Sequence, residues 1–118
     1  MNLRYRTLRQ HEAFAAAAIP VEKINGGILL LSGVEDRIGP STFMAEQIVA
    51  RLHPNGFGHG VRHLAFPEAG HGIAAPPGEP LTSVAERLGG TVAGNTRARR
   101  NGWQALRAFL ARSFGQQI

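Results

Sequence analysis

The 118-residue sequence contains no cysteine. A chain without cysteine has no disulfides, no thiolate metal ligands and no cysteine nucleophile of its own. The sequence also has no run of about 18 apolar residues, the minimum for a membrane-spanning helix. Its first residues, MNLRYRTLRQ, do not have the apolar core of a secretory leader. We therefore expect a soluble, cytoplasmic protein with no membrane partner.

Aromatic residues are few, with one Trp and one Tyr, whereas basic residues are in excess. The 13 basic residues, twelve of them Arg, against 8 acidic ones give a net charge of +5. This balance favours polyanionic partners such as nucleic acid or the phosphates of coenzyme A. The arginines are scattered, however, and no recognition helix, zinc finger or aromatic RNA-binding strand pair is present. Nucleic acid is therefore the less favoured partner, and an Arg-rich surface without a specific partner is a further alternative.

The length and the apolar fraction of 43% predict one small domain over residues 1–118. The Ala-rich segment His11 to Ala18 could form a short helix that Pro20 ends. The apolar run Ile28 to Leu31, bracketed by glycines, is typical of a strand buried on both faces of a parallel sheet.

A helix and a second strand follow this first strand. Ser41 is a suitable N-cap, and apolar residues then recur at four-residue steps at Met44, Ile48 and Leu52. The helix should end before Pro54, and Val61 to Phe66 has the composition of a second strand. A strand, a helix and a second strand of these lengths form a βαβ unit with parallel strands. The fold class predicted is therefore α/β.

The C-terminal part of the sequence predicts a long loop followed by a long helix. Gly70 to Gly90 is rich in Gly and Pro, with a helical turn expected at Ser83 to Leu88. Ala93 to Phe114 has a helical pattern that should cover the sheet. Its expected apolar face consists of Trp103, Leu106, Phe109, Leu110 and Phe114. The arginines lying mostly opposite are Arg97, Arg100, Arg107 and Arg112.

An acid and a histidine occupy the loops that follow the two strands. Parallel strands bring the loops Val34 to Pro40 and Pro67 to Gly72 to the same sheet edge, where open α/β folds place their sites. Asp36 and His71 in these loops follow the order of a Ser, Asp, His hydrolase triad. Asp36 could instead be a solvated loop acid or a helix cap, and His71 a surface histidine. The glycines on either side of His71 favour a sharply bent backbone that aims its side chain.

The remaining histidines show no spacing typical of metal ligands. These are His11, His53, His59 and His63. We interpret them as structural or solvated, and we expect neither a metal site nor a bound cofactor.

Three sequence runs together resemble a known family. These are IPVEKINGGILLLSGVEDRIGPSTFMAEQIVARL, FPEAGHGIAAPP and LGGTVAGNTRARRNGWQALRAFL. They resemble the C-terminal domain shared by acyl-CoA thioesterases and bile-acid-CoA:amino acid N-acyltransferases, over about Ile19 to Leu110. The most specific parts are the segment of strand and acidic residues that ends in Asp36, the Pro40-Ser41 pair, and the Ala-Gly-His sequence ending in His71.

The resemblance implies the C-terminal portion of an α/β-hydrolase fold of the dienelactone-hydrolase-like type. In that family a Ser or Cys on a nucleophile elbow is acylated by the acyl-CoA. The resemblance places the triad acid at Asp36 and the triad base at His71, with Glu35 at a neighbouring acidic position that could serve instead. The sequence departs from the family at Gly39, where Trp is common, and at Gly78, where Tyr is common.

The sequence has no nucleophile elbow, because it contains neither G-x-S-x-G nor G-x-C-x-G. Its serines, Ser32, Ser41, Ser83 and Ser113, have none of that context. Two hypotheses follow. The chain is part of a hydrolase for acyl-CoA or another ester or thioester, and the nucleophile lies in a missing portion or a partner chain. Alternatively, it is a non-catalytic remnant that self-associates through an unpaired strand edge. We expect no unassisted catalysis in either case.

Overall fold

The computed structural model describes residues 18–78 and 87–115. Two strands and two helices follow each other as β1 (Ile28–Gly33), α1 (Ser41–Leu52), β2 (Val61–Phe66) and α2 (Val92–Ser113). Short 3₁₀ turns occur at Val21–Lys23 and His71–Ile73. The helix predicted at His11 to Ala18 lies, except for its last residue, outside the described residues. Most of the turn predicted at Ser83 to Leu88 also lies outside them.

Strands β1 and β2 pair in parallel, in register from Ile28 opposite Val61 to Gly33 opposite Phe66. This confirms the predicted βαβ unit and shows that its two strands are neighbours. The first strand extends two residues beyond the predicted run, through Ser32 and Gly33. Both strands therefore end at the same edge of the sheet, and the loops after them begin side by side.

Helix α1 ends before Pro54 as predicted, but two details of its sequence prediction are wrong. Ser41 is its first helical residue and not its N-cap, and the Ser41 hydroxyl donates instead to the Gly33 carbonyl oxygen at 3.2 Å. Ala45 and Leu52 are the buried side chains. Met44, predicted to share the apolar face, is 57% exposed.

Helix α2 begins at Val92, where the Thr91 hydroxyl caps it by accepting from the Gly94 amide at 2.9 Å. The predicted apolar face is only partly correct. Leu106 and Phe109 are half-buried, but Trp103 and Leu110 are exposed, and Phe114 lies beyond the last turn and is exposed as well. The buried face consists of small and polar residues, namely Gly94, Asn95, Ala98, Arg99 and Gly102. Small residues are needed there because the helix lies directly against backbone.

The two helices cover opposite faces of the sheet. Ser32 contacts Thr42 of α1, whereas its neighbour Leu31 lies close to Gly102 of α2. Because successive strand side chains point to opposite faces, this alternation places α1 and α2 on the two sides of β1. The described part of the chain is thus a helix, sheet, helix arrangement of the α/β class. No helix in this part is long and apolar enough to cross a membrane.

Candidate active site

The loops after β1 and β2 are joined by backbone hydrogen bonds. The Val34 amide donates to the Phe66 carbonyl at 3.1 Å, and the Glu35 amide donates to the Ala69 carbonyl at 2.8 Å. These bonds continue the parallel ladder past the ends of the strands. The second loop, which carries His71, is therefore attached to the first loop, which carries Asp36.

Two glycines allow the backbones to approach this closely. A Cβ on Gly33 would overlap the Gly70 carbonyl oxygen, and a Cβ on Gly70 would overlap the Gly89 carbonyl oxygen. Any larger residue would push the His71 loop away from β1 or from the segment before α2. The glycine before His71 therefore sets where the loop lies.

Asp36 and His71, predicted to lie close together, form a hydrogen-bonded pair. His71 Nδ1 lies 3.0 Å from Asp36 Oδ2. The Asp36 side chain is only 4% exposed, whereas that of His71 is 52% exposed. The carboxylate is thus behind the imidazole, and the ring faces the solvent.

The Asp36 carboxylate is fixed by its own loop. Its Oδ1 accepts from the amides of Ile38 at 2.8 Å and Gly39 at 3.2 Å, which closes a turn of the type that Asp favours. Burial alone would raise the pKa of Asp36, but hydrogen bonds from His71 and from these two amides outweigh it and lower the pKa below its usual range. Asp36 is therefore ionised at neutral pH.

The ionised carboxylate determines which nitrogen of His71 carries the proton. A carboxylate only accepts hydrogen bonds, so the Nδ1 of a neutral His71 ring must be the protonated nitrogen. The Nε2 atom is then unprotonated, on a side chain that is half exposed. The pair has the geometry of a base oriented by an acid, as in acyl-transfer triads.

Glu35 does not share this geometry. Its backbone amide binds the Ala69 carbonyl, and the residue is exposed. Within the described residues, the carboxylate that contacts His71 is that of Asp36.

The serines and the other histidines are not arranged for catalysis in the described residues. Ser32 Oγ lies 2.7 Å from His63 Nε2 and 2.8 Å from Thr42 Oγ1, but Ser32 is 2% exposed beneath α1. His59 is exposed next to Phe57, and His53 is exposed after α1. His11 and Ser83 lie outside the described ranges, within which no group of three His, Cys, Asp or Glu residues could hold a metal.

A family profile covers nearly the whole sequence. The profile described as BAAT / Acyl-CoA thioester hydrolase C terminal matches residues 2–116. The chain belongs to this family. The match includes β1, β2 and both loops of the Asp36–His71 pair.

Curated relatives of this BAAT / acyl-CoA thioester hydrolase C-terminal domain include both hydrolases and transferases by name. The chain is 32% identical over 116 residues to acyl-coenzyme A amino acid N-acyltransferase 2 of Mus musculus, which covers 91% of this chain and 27% of that protein. It is 33% identical over 105 residues to acyl-coenzyme A thioesterase 1 of Rattus norvegicus, with 82% and 25% covered. Bile acid-CoA:amino acid N-acyltransferase of Mus musculus is 30% identical over 115 residues, with 90% and 27% covered. The chain thus spans about a quarter of the length of these relatives.

The departure at Gly39 does not disturb the pair in this BAAT C-terminal domain. Gly39 contributes its backbone amide to Asp36, which any residue except Pro can do. A Cβ at this position would meet no atom of the described residues within 4 Å.

Two residues of the site were missed by the sequence analysis. Asn95 accepts from the Gly70 amide through Oδ1 at 2.9 Å and donates to the Gly89 carbonyl through Nδ2 at 3.1 Å. Arg99 donates from Nε to the Gly72 carbonyl at 2.7 Å. Both lie in the Arg-rich run GNTRARR, which resembles a solvated helix face. The only signal for them was their spacing of four residues, one turn apart.

Proposed function

We propose that this chain is the C-terminal part of an α/β-hydrolase of the acyl-CoA thioester hydrolase type, with Asp36 as the acid and His71 as the base. The observation that supports this proposal is the 3.0 Å contact between the buried Asp36 carboxylate and the exposed His71 ring. The contact lies at the carboxyl edge of a parallel sheet, where such folds carry their sites. Relatives named as acyl-CoA thioesterases and N-acyltransferases support the substrate class.

The proposed chemistry is acyl transfer from a thioester. His71 Nε2 removes the proton of a Ser or Cys nucleophile, which attacks the thioester carbonyl. The tetrahedral intermediate collapses, the C–S bond breaks, and the proton passes from His71 to the leaving coenzyme A sulfur. Water then attacks the acyl-enzyme in a thioesterase, or an amine does so in an N-acyltransferase. Asp36 stabilises the imidazolium that forms during each proton transfer.

The nucleophile and the oxyanion hole are proposed to come from outside this sequence. The sequence has no nucleophile elbow, and Ser32, the serine next to the strand end, is buried against His63 and Thr42. The loss of an oxyanion-hole donor costs about 3–4 kcal/mol of barrier. The chain alone should therefore not turn over acyl-CoA at an enzymatic rate.

An activated ester tests the Asp36–His71 pair without an elbow, because an imidazole can attack such an ester directly. We expect the purified chain to release p-nitrophenol from p-nitrophenyl acetate, and His71→Ala to reduce this to the background rate. Asp36→Asn should lower the rate by about an order of magnitude or more. The two loop amides hold the side-chain oxygen of residue 36, so the new NH₂ group faces His71 Nδ1 and requires the proton to move to Nε2.

The matched controls are His59→Ala, which removes another exposed histidine, and Glu35→Gln, which neutralises the neighbouring acid. Both should retain the rate of the unmodified chain. Ester hydrolysis that responds equally to His59→Ala and His71→Ala would contradict the proposed site. In parallel, release of coenzyme A from acyl-CoAs can be followed with a thiol reagent, because the chain has no cysteine to react.

A second candidate function, partner binding without catalysis, is favoured by exposed apolar side chains beside the site. Val34, Ile38, Phe43 and Met44 are each more than half exposed. In the described residues the sheet has two strands, so β1 also has an unpaired edge. Self-association that shifts the mass measured by light scattering, together with no ester hydrolysis dependent on His71, would favour this second function.

A further inference from the structure

The backbone on both sides of His71 is held by a pair of side chains from helix α2. The amide of Gly70, the residue before His71, donates to Asn95 Oδ1 at 2.9 Å. The carbonyl of Gly72, the residue after it, accepts from Arg99 Nε at 2.7 Å. Asn95 and Arg99 are one helical turn apart and therefore lie on the same face of α2.

Both side chains are buried, at 1% exposure for Asn95 and 7% for Arg99. Burying an amide and a guanidinium is unfavourable unless their hydrogen bonds are made. Asn95 uses both of its polar groups, because Nδ2 also donates to the Gly89 carbonyl at 3.1 Å. A side-chain amide accepts through its oxygen and donates through its nitrogen, so one residue can make both bonds. Asn95 thus joins the His71 loop to the segment that precedes α2.

The backbone around His71 belongs to no strand or α-helix in the described residues. Residues 71–73 form a single 3₁₀ turn, and just before it Ala69 pairs with Gly90 in an isolated antiparallel bridge. The bond from the Gly70 amide to Asn95 holds the Ala69–Gly70 peptide, and the bond from Arg99 to the Gly72 carbonyl holds the Gly72–Ile73 peptide. Helix α2 therefore holds the backbone at both ends of the short segment that carries the imidazole.

We propose that Asn95 and Arg99 are positioning residues that hold His71 in the orientation in which Nδ1 meets Asp36. This inference rests on the proposed function of the Asp36–His71 pair and adds the helix that maintains it. Their effect reaches the imidazole through the backbone of Gly70 and Gly72, to which these side chains are hydrogen-bonded. The Nε2 atom of His71 then keeps a constant direction.

The test is the tautomer of His71, read from a long-range ¹H–¹⁵N spectrum of the imidazole rings of the whole chain. At about pH 8.5 an ordinary imidazole is neutral, so the protonated nitrogen is seen directly. The His71 signals are assigned by their loss in His71→Gln. We expect the unmodified chain to show one Nδ1–H tautomer, and Asp36→Asn to convert it to Nε2–H.

The variants are Asn95→Asp, which keeps the acceptor for Gly70 but loses the donor to Gly89, and Arg99→Met, which loses the bond to Gly72. We expect each to replace the single His71 tautomer by an averaged signal. Arg99→Lys, which keeps a cationic donor, should restore part of the Nδ1–H signal. Asn101→Asp and Arg100→Met are the matched controls, because these residues are exposed on the same helix, and both should leave the His71 signals unchanged.

The outcomes separate the two proposals. If Asp36→Asn changes the His71 tautomer but the Asn95 and Arg99 variants do not, the two residues have only a structural role and this inference is overturned. If Asp36→Asn also has no effect, the pair itself is absent in solution and the proposed function fails first. Should Asn95→Asp not fold, the comparison of Arg99→Met with Arg99→Lys decides the matter.

Discussion

His71 reaches Asp36 because glycines let its loop lie directly against neighbouring backbone. Gly33 and Gly70 have no room for a side chain, and the surrounding carbonyl groups belong to the loops that form the site. The orientation of the catalytic pair proposed here therefore depends on backbone packing as much as on the two functional side chains. This dependence can be tested by a substitution that adds a single methyl group to the backbone, Gly to Ala.

Gly70→Ala should destabilise the chain and separate the pair. The added Cβ would overlap the Gly89 carbonyl oxygen, so the loop must shift. Overpacking of this kind costs about 1–3 kcal/mol of unfolding free energy, measurable by urea denaturation. Gly58→Ala is the control, because a Cβ there meets no atom of the described part of the chain within 4 Å, and it should change the stability by less than about 0.5 kcal/mol. Equal stabilities of the two variants would refute this account of the loop.

The sequence allowed Asp36 and His71 to be predicted as a pair, since both follow strands that end at one sheet edge. The contacts of three other polar residues could not be predicted from the sequence, for physical reasons. Ser32 and His63 bond across the sheet beneath α1, which depends on the strand register. Arg99 is buried although the sequence around it is rich in Arg. Such burial depends on which loop the helix packs against, and the local amino-acid pattern does not predict that contact.

At the scale of elements, the segment before β1 is attached to α1 by a bidentate ion pair. Arg51 donates to Glu22 through Nε at 2.6 Å and through a second nitrogen at 2.9 Å. Two parallel bonds of this type are the strongest arrangement for Arg and a carboxylate. The pair links the 3₁₀ turn Val21–Lys23 to the last turn of α1. Because α1 runs back from the carboxyl edge of the sheet, this turn is at the opposite end of the sheet from His71.

This pair predicts a specific dependence of stability on pH. The hydrogen bonds from Arg51 lower the pKa of Glu22 from 4.5 to about 2. A carboxyl group with a lowered pKa in the folded state stabilises the fold above its ordinary pKa and loses this effect as the pH falls through the lowered value. The chain should therefore exceed Glu22→Gln in stability above pH 4.5, and the difference should disappear near pH 2.

Urea denaturation at a series of pH values measures this difference. Glu68→Gln is a suitable control, because the Glu68 and Arg97 side chains are more than half exposed and such a pair contributes little. A stability difference between the unmodified chain and Glu22→Gln that stays constant down to pH 2 would show that the ion pair is not formed in solution.

The elements themselves were largely predictable, whereas the buried face of α2 was not. Strand β2 has the predicted limits and helix α1 ends before Pro54 as predicted, because Gly and Pro residues mark where these apolar segments stop. The apolar residues of α2 predicted the wrong face in part, since its first half packs on loops through Gly94 and Ala98. The periodicity of apolar residues identifies a helix, but the small residues of the helix determine which of its faces can pack against the backbone of a neighbouring loop.

At the scale of the whole molecule, the described residues form a sheet of two strands with apolar side chains exposed around the site. Four of these lie in the loop that holds Asp36 or in the first turn of α1 that follows it, namely Val34, Ile38, Phe43 and Met44. This arrangement is consistent with a part that completes its fold and its site against further protein. The chain matches about a quarter of the length of each relative. The other three quarters of a relative can therefore be supplied in a chimera.

The most direct measurement is release of coenzyme A by a chimera in which residues 2–116 replace the matching C-terminal part of rat acyl-coenzyme A thioesterase 1. If Asp36 and His71 form the acid and base of a thioester hydrolase, the folded chimera will hydrolyse acyl-CoA. His71→Ala will then reduce the rate by at least about 100-fold, and His59→Ala will leave it unchanged. A folded chimera that is inactive, or one whose rate survives His71→Ala, would contradict the account.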